Sequence, residues 1–170
     1  MKSQIDIINI WWEGPYTLSD IENKNIGNDD NKDYGVYQIY GTHPVYGNNV
    51  LLYIGKTEQQ VFSTRLNQET HWWNNQDANN IQIYFGRLIG NTPSESIWTS
   101  MINKAEKLLI YAHRPAHNSS NINSIQEDEA KNTHVLNWGT FKDLQPEVSS
   151  MRIFDETDEP NDNYFTMEKV

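Results

Sequence analysis

Cysteine is absent from the 170-residue chain, which excludes disulfides, thiolate nucleophiles and Cys-ligated zinc. Long apolar runs are missing too. No stretch approaches the roughly 18 consecutive apolar residues that a membrane-spanning helix needs. Positive charge is scarce: 13 Lys and Arg face 23 Asp and Glu, a formal net charge of −10 at pH 7. That balance argues against a sequence-independent polyanion binder. The first residues, MKSQIDIINIWW, lack the basic start, plain apolar core and small-residue cleavage site of a signal peptide. The expectation is a cytoplasmic protein with no membrane association.

What is present is aromatic. Six Trp and nine Tyr can build a compact core despite a hydrophobic content of 36%, because each aromatic ring buries a large area. The length fits one domain with some decoration. Charge is placed unevenly. Residues 155–170 hold six acids and one Lys, and residues 13–33 hold six acids and two Lys. Residues 34–154 hold nine Lys or Arg against ten Asp or Glu. The middle of the chain is therefore nearly neutral between acidic flanks, which leaves room for a local basic groove.

The chain reads as four stretches. Residues 1–33 form an N-terminal arm, with an apolar patch from Ile5 to Trp12, the turn pair Gly14-Pro15, and an exposed Asn- and Asp-rich loop. Residues 34–121 form the central domain. Within it, YGVYQIY (34–40) is β-branched and aromatic and predicts a strand. GTHPVYGNN (41–49) predicts a hairpin loop, and VLLYIG (50–55) a buried second strand. Val61, Phe62 and Leu66 recur at helical spacing within 58–69. IQIYFGRL (81–88) alternates as a third strand. A long helix is predicted over 93–113, with Thr92, Pro93 and Glu95 as its start signal and Pro115 as its stop. Glu106 lies at the border of that helix's apolar stripe. Residues 122–154 form a C-terminal extension whose apolar pieces, VLNWGTF and MRIF, are candidates for added strands. Residues 155–170 read as a disordered acidic tail.

Two tripeptides stand on the first two predicted strands: Gly35-Val36-Tyr37 and Tyr53-Ile54-Gly55. Arg65 follows on the next helix, Glu106 on a later one, and Asn118 just beyond that helix's end. This set, over about residues 34–121, resembles the GIY-YIG nuclease family. The resemblance implies an α/β (α+β) fold with a small three-stranded central sheet flanked by helices, here with N- and C-terminal extensions. It also implies a divalent-metal-dependent endonuclease that hydrolyses DNA phosphodiester bonds with Mg²⁺ or Mn²⁺.

The residue types suit that chemistry, which needs a nucleophilic water, a base, and charge neutralisation at the phosphate. Glu106 offers a hard oxygen to Mg²⁺, an ion that takes few protein ligands and keeps several waters. Arg65 offers planar, permanently charged donors for phosphate oxygens. By resemblance, Tyr37 is the base and Tyr53 orients the water or a phosphate oxygen, although the two roles could be exchanged. With an ordinary pKa of about 10, only about one tyrosine in a thousand is ionised at pH 7. Lys56, at the end of the second strand, is the cation expected to lower that pKa. A drop of about two units needs about 2.7 kcal/mol. Asn118 is expected to hold the active-site backbone or to orient the Glu106 region. Position 69, where the family often has His or Tyr, is Glu, and His71 two residues on is the candidate in its place.

Other readings of the same residues stand beside this one. Strand tyrosines, a helix-surface Arg or Glu, a turn Lys and a loop Asn are ordinary when taken singly. His113 and His117 are four apart, but Pro115 between them breaks the helix a metal pair would need. Trp11-Trp12 and Trp72-Trp73 could stack exposed bases, but suit core packing better. The net acidity favours an alternative function: a fold kept as a nucleic-acid or protein interaction module without efficient catalysis. A third possibility is a homodimer, or a nuclease subunit whose partner supplies DNA recognition.

Overall fold

The computed structural model describes residues 5–69, 80–90, 94–125 and 130–154. The predicted Trp72-Trp73 pair, His71, the Thr92-Pro93 helix start and the acidic tail 155–170 lie outside the described residues. Strand β1 (Asp6–Tyr16) leads into helix α1 (Leu18–Lys24), then the hairpin β2 (Gly35–His43) and β3 (Gly47–Thr57). Helix α2 (Phe62–Gln68), strand β4 (Gln82–Ile89) and the long helix α3 (Glu95–His113) follow. Strands β5 (Thr133–Gly139) and β6 (Glu147–Ser149) and helix α4 (Ser150–Phe154) complete the order.

The protein is mixed α/β, as expected, but its sheet is larger than expected. Six strands run in the order β3-β2-β4-β1-β5-β6, where three were predicted. The stretch expected as an N-terminal arm supplies one of the inner strands. β1 pairs antiparallel with β4, Trp12 opposite Gly86, and parallel with β5, Trp11 beside Trp138. The cause lies in its alternation. Ile8, Ile10 and Trp12 are buried on one face while Ile7 and Trp11 stay exposed on the other, the period-two pattern of a half-covered strand. Close packing at Gly86 fixes that position: a Cβ there would lie 2.8 Å from both the Ile10 and Trp12 side chains. Of the two C-terminal candidates, VLNWGTF supplies most of β5, whereas MRIF lies in helix α4 and the short strand β6 precedes it.

The sheet divides its core between two faces. On one, α3 packs Ile102, Ala105, Leu108 and Leu109 against Ile8, Ile10, Trp12, Val36 and Ile54. On the other, α1 and α2 cover Tyr37, Ile39, Ile83 and Phe85 with Ile21, Phe62 and Leu66. β2 is therefore buried on both sides from Gly35 to Gly41, as a strand between two helical layers must be. Burying each Leu, Ile or Phe of this core contributes about 1.5–3 kcal/mol. The predicted loop at 41–49 is mostly strand, because β2 and β3 continue past two register shifts to a tight turn at residues 44–46. The capping box appears at α1, where Thr17 and Asp20 exchange hydrogen bonds. Ser94, at the start of α3, makes no side-chain capping bond.

Candidate active site

The two tripeptides lie side by side. Tyr37 pairs across the hairpin with Gly55, and Ile39 with Tyr53, so Tyr37 and Tyr53 are diagonal neighbours on one face. Their ring centroids are 6.1 Å apart. Both glycines are set by close approach. Gly35 has φ +143°, and a Cβ on it would fall 2.1 Å from the Gly86 carbonyl oxygen. A Cβ on Gly55 would fall 2.4 Å from the Tyr37 hydroxyl and 2.7 Å from Tyr53 Cε1. The Tyr37 ring lies over Gly55 because Gly55 has no side chain.

β3 is an edge strand, and the chain after α3 closes it. Arg114 takes the left-handed conformation at the helix C-cap. The backbone then runs beside β3, with Ala116 N–H donating to Leu51 and His117 N–H to Leu52. Asn118 completes the edge. Its Oδ1 accepts from Ile54 N–H at 2.9 Å, and its Nδ2 donates to Ile54 C=O at 2.9 Å. Asn118 thus holds the backbone between the tyrosine and glycine of the second tripeptide.

Polar residues meet where β3 ends, α2 begins and α3 passes. Lys56, Glu58, Arg65 and Glu106 line one open cleft of about 440 Å³. Lys56 Nζ is 3.7 Å from Glu106 Oε2, pairs with Glu58, and donates to Asn103 Oδ1 one turn before Glu106 on α3. Glu106 is largely buried, its side chain 14% exposed. Burial raises its pKa to about 6, with Lys56 opposing that rise and Glu58 adding to it. Arg65 pairs with Glu69 at 2.5 Å, and Glu69 is buried. Burial disfavours the charged Arg65, but Tyr37, Glu69 and Tyr53 outweigh it and raise its pKa.

Both tyrosines are harder to ionise than usual. Burial raises Tyr37 most, Tyr53 and Glu69 add to it, and Arg65 opposes. Tyr53 is raised by burial, then by Glu69 and Glu106, again against Arg65. The cation that lowers both tyrosines is therefore Arg65. Lys56, expected in that role from its place in the sequence, is directed at Glu58 and Glu106. Arg65 is close enough to act on Tyr37, yet the buried Tyr37 hydroxyl makes no well-formed hydrogen bond among the described residues. A buried polar atom without a well-formed bond is unusual in a folded protein.

Six of the seven predicted site residues are brought to this end of the sheet: Tyr37, Tyr53, Lys56, Arg65, Glu106 and Asn118. His71 lies outside the described residues. Glu58 and Asn103 were not predicted. Glu58 follows Lys56 by two and carries no motif of its own, and Asn103 is recognisable only as the residue one turn before Glu106. Glu69 was noted as a replacement, but its pairing with Arg65 is a tertiary fact. The His113–His117 pair is spent elsewhere. His113 bridges Leu109 C=O and Gln145 N–H, and the His117 ring lies 5.4 Å from that of His43.

The donor set suits a hard divalent cation. Among the described residues no three His, Asp or Glu side chains cluster as a complete cage, but Mg²⁺ is commonly held by one or two carboxylates plus water. Glu106 with Glu58 beside it offers that number. Burial is what raises the Glu106 pKa most, and a cation in the cleft would oppose that rise. No family model, no curated protein and no solved structure matches this chain.

Proposed function

We propose that the protein is a divalent-metal-dependent endonuclease of the GIY-YIG type that hydrolyses DNA phosphodiester bonds, with its catalytic centre in the cleft between β3, α2 and α3. The observation that carries the proposal is the convergence of Tyr37, Tyr53, Lys56, Arg65 and Glu106 at one end of the hairpin, with Asn118 clamping the strand beneath them. Residues 65, 106 and 118 are far apart in sequence, and an interaction surface has no evident need to gather them.

Glu106 would hold Mg²⁺ or Mn²⁺, with Glu58 as second carboxylate. Such an ion supplies Lewis-acid polarisation of the phosphate and stabilises charge on the leaving oxygen. Arg65 binds a phosphate oxygen, for which the anion must compete with Glu69. Tyr37 would act as the base in its phenolate form: its hydroxyl proton leaves to solvent, a step that Arg65 favours and burial opposes, and the phenolate oxygen then takes the proton of the attacking water and becomes the phenol again, while the half-buried Tyr53 orients that water. Asn103 and Glu58 keep Lys56 against Glu106.

A second function is favoured by one specific observation. Three carboxylates, Glu58 and Glu106 in the cleft and the buried Glu69, already neutralise Lys56 and Arg65. That arrangement suits an interaction module as well as a resting enzyme. Plasmid cleavage with Mg²⁺ or Mn²⁺ separates the two. Wild type is expected to nick or linearise the plasmid, Glu106→Ala to be inactive, and Tyr37→Phe to lose most of the rate. Failure of wild type on plasmid, single-stranded and branched DNA, with metal bound, would remove the nuclease proposal and leave the module.

A further inference from the structure

Among the described residues, Lys32, Lys56, Arg65, Arg87, Lys104, Lys107, Lys131 and Lys142 are engaged by other groups of the chain. Arg114 and Arg152, both exposed, make no such side-chain contact with the described residues. In so acidic a protein two free cations are notable, and these two share a place. They line one cleft of about 410 Å³ between the end of α3, strand β6 and helix α4, with Tyr111, Gln145 and Glu147 on its walls. Glu147 is the opposing charge there, and it is engaged by His134 at 3.1 Å.

Both this cleft and the candidate active site are lined by residues of α3 or its C-cap. Asn103, which holds Lys56, is followed at helical spacing by Lys107, Tyr111 and Arg114. Positions four and seven residues apart share a helix face. Lys107 lies near enough to Glu106 to lower its pKa. From Lys107 to Arg114 the helix rises about 10.5 Å. One DNA strand carries a charge about every 3.4 Å of its axis, so this rise spans roughly three phosphates.

The geometry points to the Arg114–Arg152 cleft as a second anion site that receives a backbone phosphate of the DNA whose scissile phosphate lies at Arg65 and Glu106. This inference rests on the nuclease reading of the first cleft. Arginine is suited to the role because its planar fork meets a phosphate with two donors. The site supplies what the catalytic cleft lacks, cations not already neutralised by the chain.

Duplex DNA binding by fluorescence anisotropy, without divalent metal and over a salt series, tests it on the intact protein. Arg114→Asn suits the left-handed backbone at that position (φ 47°), because Asn tolerates it, and Arg152→Gln keeps size without charge. The double variant is expected to bind about tenfold more weakly and to lose about 1.8 from the slope of log K against log salt, two contacts at about 0.9 each. It should unfold at the wild-type temperature and keep its rate at saturating DNA. The Arg114→Lys/Arg152→Lys pair should keep the slope. If wild type cleaves and the double variant binds with an unchanged slope, the second site is overturned and the nuclease proposal stands. If wild type neither binds nor cleaves DNA, both fall. Binding of inorganic phosphate at the two arginines without any change in duplex affinity would overturn the assignment to DNA.

Discussion

Tyr37 and Glu106 are both placed at a disadvantage. The Tyr37 hydroxyl is buried without a well-formed partner among the described residues, and an unsatisfied buried polar group costs about 1–3 kcal/mol. Tyr37→Phe is therefore expected to be at least as stable as wild type in urea denaturation while losing cleavage activity. Lower stability would show that the Arg65 contact is a sound hydrogen bond. Glu106 can be tested through pH. Its folded pKa of about 6 lies above the ordinary 4.5, so the folded state holds the proton more tightly. The resulting stabilisation is complete below about pH 4.5 and is lost as pH rises through 6. At pH 8 the ionised carboxylate then weighs against folding by about 2 kcal/mol at most. Glu106→Gln should accordingly melt higher relative to wild type at pH 8 than at pH 4.5, as thermal unfolding at the two pH values would show. An unchanged difference would mean that Lys56 fully compensates the charge.

At the scale of elements, the ends of α3 and β3 depend on single side chains. Asn118→Ala removes both bonds to Ile54 and leaves that residue's N–H and C=O unpaired at the sheet edge. A loss of about 2 kcal/mol is expected by chemical denaturation, with the activity falling as the Tyr53–Gly55 backbone loosens. Asn118→Asp, which keeps the acceptor alone, should fall between. His113 ties the last turn of α3 to the segment before β6, donating from Nδ1 to Leu109 and accepting at Nε2 from Gln145. Only the neutral ring can accept there, and burial lowers the His113 pKa. A lowered pKa means fewer protons bound in the folded state. Stability from this group is present above about pH 6.5 and is lost as pH falls through the folded value. His113→Gln should flatten the dependence of melting temperature on pH between 7 and 5, and an equally steep profile in the variant would show that other groups carry it.

For the whole molecule, the central question is where the domain begins. The motif-bearing segment 34–121 read as the central domain with extensions on either side, yet β1 stands between β4 and β5 and contributes Ile8, Ile10 and Trp12 to the α3 core. A fragment of residues 34–121 would expose that core and the whole β4 edge. It is expected to lack cooperative thermal unfolding by circular dichroism, whereas 1–154 should retain it. A cooperatively folded 34–121 fragment would show that β1 and β5 are additions to a complete unit.

Much was legible in the sequence because it depends on local chemistry. The alternation in IQIYFGRL, the apolar stripe of 95–113 and the stop at Pro115 are consequences of backbone geometry repeated over a few residues. The two tripeptides likewise announced a hairpin with tyrosines on it, and the glycines in them are required by contacts the hairpin itself makes. What sequence could not supply is partnership at long range. Ile8, Ile10 and Trp12 read only as the apolar patch of an arm, and no local rule says that they form a strand pairing with Gly86 on one side and with residues 133–139 on the other. The pKa of Glu106, the capture of Arg65 by Glu69 and the direction of Lys56 are equally tertiary. Each depends on how near two charges come and how much water lies between them, and those distances are set only when α2 and α3 pack against the sheet.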